Sequence, residues 1–292
     1  MAYLSENTKI LMFDGSFKNV QDIKKGDFIM GDDNNKRLVI NKFQNSDFLY
    51  EISCKNSCKN NLIKDSKFIV NKYHKLLLFN KFKDNDGNPL NYSKTLSVEE
   101  YLQSSNKFKK KYFLSKNNKE IKFHNYLFKY DAFQFGKFII SDCINYSIPD
   151  DYKLSSIDNR YDLLKGIYSF NPRHIYKNNT TMIYIEHFCF NICKDIQWIA
   201  QSLGLTCKIR KNLNNNNYRC ILYGSNLFKF FIDNDKGLVL YKNYINTVEK
   251  NKYNFHNLYK FNIKPKGFMN YYTLEIENNK NFLLNDFDVI KG

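Results

Sequence analysis

Residues 8–39, TKILMFDGSFKNVQDIKKGDFIMGDDNNKRLV, are cut into short apolar runs by turn residues. KILMF, FKNVQDI and FIMG read as strands, and DGS, KKGD and DDNN as the tight turns between them. Asp14-Gly15 and Gly26-Asp27 supply the positive φ angles or side-chain bonds that such turns require. Further strands are expected over residues 47–54, 67–71 and 75–80, which makes the first region all-β. Ser97, with Glu100 three residues on, forms a capping box that opens a short helix over residues 97–105.

Between about residues 128 and 237 the apolar period lengthens from two towards three to four. Residues 157–170 and 193–205 read as helices, the second with Ile196, Ile199, Ala200 and Leu203 on one face. Strands are expected over residues 206–210 and 218–223, joined by the polar loop NLNNNNY, with a short helix near residues 225–232. β-type sequence resumes at Tyr271, so an α+β module interrupts a β domain. The boundaries fall at about residues 120 and 245, giving segments 1–120, 121–245 and 246–292.

The chain's 292 residues, 43% of them hydrophobic, can bury a substantial core. No apolar run approaches the ~20 residues of a membrane span, and no basic-then-apolar leader opens the chain, so a soluble, intracellular protein is expected. Forty-five Lys plus Arg against 29 Asp plus Glu give a formal +16, which suits phosphate contacts to nucleic acid. The same charge fits a lysine-rich coding bias, because Asn, Tyr, Phe and Ile are abundant too. Cysteine is odd in number at 7, and Cys54/Cys58 and Cys189/Cys193 lack partners at zinc-ligand spacing. Free thiols in a reducing compartment, without structural zinc, are expected.

The run T-K-I-L-M-F-D-G-S, then V-Q-D-I-K-K-G-D, then Phe28 and Ile29 before Asp32-Asp33, resembles block A of inteins, the self-splicing elements of the Hint superfamily. FIVNKYHKLLLF, residues 68–79, is similar to block B, where His follows an apolar strand three residues after Thr or Asn; Asn71 and His74 fill those places. YYTLEIENNKNFLLNDFDVIKG, residues 271–292, resembles the C-terminal blocks, which end in a penultimate His and a terminal Asn. The resemblance covers about residues 2–120 and 262–292. It implies a mainly β, horseshoe-like Hint domain assembled from both chain ends, whose terminal strands lie side by side near His74, and it makes the end of the chain a splice junction.

In that family the first residue, Cys or Ser, attacks the preceding carbonyl and turns the amide into a thioester or ester. The block B His protonates the departing nitrogen while its Thr or Asn neighbour polarises or distorts the scissile peptide. The first residue after the element accepts the acyl group, and the terminal Asn cyclises to cut the downstream junction. This sequence departs from the pattern at both ends. The usual spacing back from Thr8 lands on Tyr3, and one extra residue puts the nucleophile position at Ala2, which is favoured because Ala is the usual inert replacement. Lys291 stands in place of His, and Gly292, without a carboxamide, in place of Asn. Lys280 or Asn279 stands near a place where related elements carry His, and Thr273 where some carry Asp. The resemblance therefore implies a splicing element in an inactivated form. His124, His174, His187 and His256 have no such context and receive no role.

FQFGKFIISD, residues 133–142, and IPDDYKLSSIDNRYDLLKGIYSFN, residues 148–171, resemble the two motifs of LAGLIDADG homing endonucleases, which commonly interrupt inteins. Each motif in an active enzyme is a helix whose last acid holds a divalent metal. Counting from Gly136 and Gly166, those positions are Ser141 and Asn171, neither a carboxylate; Asp142 would serve only after a one-residue shift. The resemblance implies a degenerate, partly deleted endonuclease, with a helix-strand-strand-helix order after Asn171 as its surviving half. The implied partners are flanking extein segments in cis, with room for weak residual DNA binding; no cofactor, metal or membrane is implied, and a monomer in the host protein's compartment is expected. The alternative is a DNA-binding or endonuclease-derived protein that retains a Hint scaffold. A hedgehog-like autoprocessing domain fits less well, lacking both the insert and this C-terminal block.

Overall fold

The computed structural model describes residues 1–55, 67–80, 93–123, 130–141, 147–177, 180–212, 216–231 and 257–292. Of these, 46% lie in strands or bridges and 28% in helices, so the fold is mainly β. The described residues cluster into two compact units, one within Met1–Ser57, Lys64–Asn117 and Asn257–Gly292, the other within Asn118–His256. The boundary expected near residue 245 lies outside the described residues, as do Cys58, His124, Asp142 and His256.

The first unit opens with β1 (Ala2–Ser5), β2 (Lys9–Leu11), β3 (Phe17–Asn19) and β4 (Phe28–Met30), followed by a long β5 (Lys36–Cys54). Gly15 and Gly26 both take φ of 91° in the turns between them, as the DG and GD dipeptides require. The stretch FKNVQDI is strand only as far as Asn19; residues Val20–Asp22 form a 3-10 turn. Asn19 Nδ2 bonds Asp22 at 3.1 Å there, a local side-chain bond that competes with further pairing. Next come β6 (Lys67–Asn71), β7 (Lys75–Asn80), β8 (Ser93–Ser97), α1 (Val98–Gln103), α2 (Asn106–Lys111) and β9 (Tyr112–Ser115).

The second unit runs through α3 (Ala132–Ser141), α4 (Asp150–Lys153), α5 (Ile157–Ser169), β10 (Arg173–Lys177), β11 (Thr180–His187), α6 (Phe190–Ser202), β12 (Thr206–Lys211) and β13 (Tyr218–Tyr223). Its antiparallel sheet has the order β10-β11-β13-β12. After α5 a hairpin of RHIYK with TTMIYIEH comes first, and the helix-strand-strand-helix order expected from the resemblance follows it as α6, β12, β13 and a 3-10 helix over Ser225–Phe230. The α6 helix starts at Phe190, earlier than its apolar stripe implies, and stops at Ser202, followed by Gly204 at φ 71°. The last elements, β14 (Leu258–Tyr259), β15 (Phe261–Ile276), β16 (Phe282–Leu283) and β17 (Val289–Ile290), return to the first unit.

Both chain ends meet in one sheet of order β1-β15-β5-β4, with β6 also on β5. The β5–β15 ribbon extends from Val39 opposite Ile276 to Cys54 opposite Phe261. Ala2, Leu4, Ile10, Val70, Leu76, Leu274, Phe282 and Ile290 are all buried in one apolar cluster, so the first and last strands share a core. The second unit has its own, built from α5, α6 and the inner face of its sheet. Within it Arg160 is fully buried, donating from Nε to Ser155 O at 3.1 Å and from its terminal nitrogens to Ser202 Oγ and Ile121 O, with Phe123 stacked 4.8 Å away. No described helix is long and apolar enough to cross a membrane.

Candidate active site

The turn between β6 and β7 is held from two sides. Asn71 Oδ1 accepts from the backbone N–H groups of Tyr73 at 3.1 Å and His74 at 3.0 Å, an Asx turn that fixes the approach to His74. From the other side, α1 offers its first unpaired amides: Val98 N–H donates to His74 O at 3.0 Å and Glu99 N–H to Lys72 O at 3.1 Å. The capping box satisfies the next ones, Glu100 N–H to Ser97 Oγ at 3.1 Å and Ser97 N–H to Glu100 Oε2 at 2.5 Å. Ser97 and Glu100 thus hold the helix end on which the histidine turn rests. His74 is buried beside Phe68, their rings 6.4 Å apart.

The chain's first strand brings a peptide bond to this histidine. In the antiparallel pairing of β1 with β15, Ala2 lies opposite Leu274 and Tyr3 opposite Thr273. Backbone groups in such a ladder point alternately towards and away from the partner strand. The Tyr3 N–H points away from β15 and donates to His74 Nδ1 at 3.2 Å. By the same alternation the Ala2 N–H faces Leu274. Accepting at Nδ1 makes His74 the neutral tautomer protonated on Nε2. Burial lowers its pKa to about 3, and the positive N-terminal amine adds to the effect. That amine has its own pKa lowered by burial and by Lys291, against the opposing pull of Glu275. Tyr3, His74, the first amino group and Lys291 therefore share one electrostatic environment, and Gly292 is buried.

Asn71 Nδ2 is buried and makes no hydrogen bond. The Tyr271 phenol lies beside the carboxamide without reaching hydrogen-bond geometry at that nitrogen; burial raises its pKa, and Asn71 pulls it back. Its ring centroid is 6.1 Å from that of Tyr3. The site thus presents a buried imidazole acceptor on one peptide nitrogen and a spare amide donor close by.

A family model described as Hom_end-associated Hint matches residues 4–291, nearly the whole chain. The chain belongs to this Hint family. No curated protein matches it. Among solved structures, the gp41-1 intein is similar at 14% identity over 40% of this chain and 70% of that one, with a TM-score of 0.26. A mutant of a variant of the Ssp DnaB mini-intein is similar at 9% identity over 100% of this chain and 99% of that one, with a TM-score of 0.35.

In the second unit of this Hint-family chain, α3 and α5 pack through glycines. A Cβ on Gly136 would lie 2.3 Å from Leu163 O, and one on Gly166 2.1 Å from Phe133 O and 3.1 Å from Gly136 Cα. Ser141 is the last residue of α3, and Asn171 is exposed just beyond α5. No group of three or more His, Cys, Asp or Glu among the described residues is arranged to hold a metal ion. The described cysteines form no disulfide, and Cys193, Cys207 and Cys220 are buried.

Sequence reasoning passed over Tyr271, Lys116, Tyr259 and Asp288 in this Hint domain. Tyr271 carries no local signal, since it reaches Asn71 only through the β1–β15–β5–β6 sheet. Asp288 carried a usable one: a charged residue between Phe287 and Val289, where a buried strand calls for an apolar side chain.

Proposed function

We propose that this chain is a protein-splicing element of the intein type whose first step is blocked at Tyr3. The observation that carries the reading is the Tyr3 N–H held on Nδ1 of a buried histidine, in a turn built by Asn71. In an acyl shift, a side-chain nucleophile on the residue after the scissile carbonyl attacks that carbonyl, the carbon–nitrogen bond breaks, and the nitrogen leaves as an amine after taking a proton. The amide whose nitrogen meets the histidine joins Ala2 to Tyr3, so Tyr3, where the usual spacing lands, takes the nucleophile position in preference to Ala2, favoured in the sequence as an inert replacement. A tyrosine phenol, at the far end of a rigid ring, cannot fold back onto its own preceding carbonyl. Ala2 offers only a methyl, so the block holds in either register. At the position that the resemblance gives to the cyclising Asn stands Gly292, which has no carboxamide. Asn71 Nδ2, buried without a partner, supports the role of polarising the scissile peptide. The reaction uses flanking segments in cis and needs no cofactor.

The glycine contact between α3 and α5, followed by two strand pairs around a helix, supports descent of the second unit from a LAGLIDADG endonuclease. Ser141 and Asn171 at the acid positions support loss of cleavage. One observation favours the alternative, a DNA-binding protein on a Hint scaffold. The face of the second unit's sheet opposite the buried Cys207 and Ile209 carries Lys208, Arg210, Arg219 and Arg173 around Glu186, the one acid there among the described residues.

The test is a precursor with an upstream tag, a downstream Cys-containing flank, and Tyr3→Cys with Gly292→Asn. The expected result is thiol-releasable upstream tag, ligated flanks and excised chain, all lost with His74→Ala. If no thioester can be trapped while the same protein binds duplex DNA with a steep salt dependence, the DNA-binding alternative replaces the splicing reading.

A further inference from the structure

The last twelve residues join the first unit through separate bridges, Ile10 to Leu284, Gly31 to Phe282 and Lys116 to Asp288, and through the buried side chains of Phe282, Leu284 and Ile290, while β16 and β17 pair with each other over two residues. One of those contacts is a buried carboxyl. Asp288 is 1% exposed and bridges backbone-to-backbone with Lys116, just beyond β9. The Tyr259 hydroxyl, on β14, donates to its Oδ1 at 2.8 Å. Lys116 Nζ stands 3.5 Å from the same oxygen, and also 3.5 Å from Asp286 Oδ2, so one ammonium serves two carboxylates. Asp288 Oδ2 is buried with no partner.

An ionised Asp288 would therefore keep a bare anionic oxygen in the interior, beside Asp286 and with half a cation, whereas a protonated one would bury no charge. Neighbouring titratable or charged groups among the described residues are Asp286, Lys116 and Tyr259, with Cys54 acting on Tyr259. On the same arm, Leu284, Asn285 and Asp286 border a groove of about 260 Å³. Burial followed by the Asp286 charge raises the Asp288 pKa to about 7, with Lys116 and Tyr259 pulling it down.

We propose that Asp288 is a titrating latch on the C-terminal arm: protonated, it seats the arm against Lys116 and Tyr259, and ionised, it loosens the segment that leads to Lys291 and Gly292. The direction follows from linkage. A carboxyl bound more tightly to its proton in the latched state than in solvent favours latching at low pH, and that advantage is lost as pH rises from about 4 through about 7. The latch is a property of the fold and does not depend on whether the chain splices.

The test is hydrogen exchange on the full chain between pH 5 and 8, with each rate divided by its intrinsic rate. The amide of Asn117, which donates to Phe287 O at 2.8 Å, reports arm opening, and the β5 and β15 amides serve as controls. The expected opening constant rises about tenfold per pH unit between pH 5 and 7 and levels above it, while the controls show no such slope. Asp288→Asn, isosteric and non-titrating, should abolish the slope. Lys116→Met, which removes the shared cation, should move the levelling point to higher pH. A slope that persists in Asp288→Asn, or no difference between arm and control amides in the wild-type chain, overturns the proposal. If Asp288→Asn does not fold, an unmoved levelling point in Lys116→Met does the same.

Discussion

The backbone N–H of Tyr3 donates to Nδ1 of His74 at 3.2 Å, across 71 residues of sequence. That contact chooses between two adjacent peptide nitrogens. Because Tyr3 N–H points off the β1–β15 ladder, Ala2 N–H points into it. With an upstream flank, Tyr3→Cys should therefore yield a thioester cleavable by a small thiol or hydroxylamine, and Ala2→Cys should not. Mass spectrometry of the released fragments reads the outcome. Removing the imidazole from the Tyr3→Cys chain should slow release about a hundredfold or more, the usual worth of a positioned acid–base group, here one that takes the thiol proton at Nδ1 and passes it to the departing nitrogen. Equal cleavage from both cysteine positions would defeat the register.

His74 should titrate far below an ordinary histidine. Its pKa is lowered to about 3, by burial first and by the N-terminal amine second. A depressed folded-state pKa means that stability is present above about 6.5, where an unfolded histidine also loses its proton, and falls as pH drops towards 3. Histidine ring NMR should show a neutral Nε2–H imidazole down to pH 4. Acetylating the N-terminus removes the second cause, so the pKa should rise without returning to 6.5.

Ser97 should matter to His74 without touching its ring. Ser97→Ala removes the cap on Glu100 N–H and is expected to cost about 1 kcal/mol in denaturant unfolding. Since Val98 N–H and Glu99 N–H support the backbone of residues 72–74, exchange of those two amides should accelerate more than that of the β15 amides. Uniform acceleration across the unit would show that the helix end does not support the turn.

Gly166→Ala should destabilise the second unit. The new Cβ would sit 2.1 Å from Phe133 O, a backbone atom that cannot swing aside, so α3 and α5 must separate. Overpacking of this kind costs roughly 1–3 kcal/mol. Lowered protection of α5 amides, with the β5–β15 ribbon unchanged, is the expected readout.

Much of the fold was written locally. The DG and GD turns, the Ser97–Glu100 capping box and the alternation in residues 75–80 each depend on residues a few positions apart, and each occurs where expected. The hairpin β10–β11 was missed because RHIYK carries two basic residues and so lacks a clean apolar alternation. The Val20–Asp22 turn was missed because its cause is the Asn19–Asp22 side-chain bond, which competes with a strand-like pattern.

For the candidate site, the sequence by itself determined that neither Ala2 nor Tyr3 is the Cys or Ser of the family pattern and that Asn71 stands three residues before His74. It left open which of two neighbouring amides faces the histidine. The usual spacing landed on Tyr3, Ala2 was favoured as the usual inert replacement for a nucleophile, and in the structure the Tyr3 N–H faces the histidine. A shift of one residue in a strand reverses the direction of every N–H and side chain, and only the partner strand sets the register. The same holds for Asp288: the sequence shows an acid between two apolar residues, and only the tertiary structure buries it against Tyr259 and Lys116. Desolvation and shared charge are properties of the assembled interior, and no local run of residues encodes them.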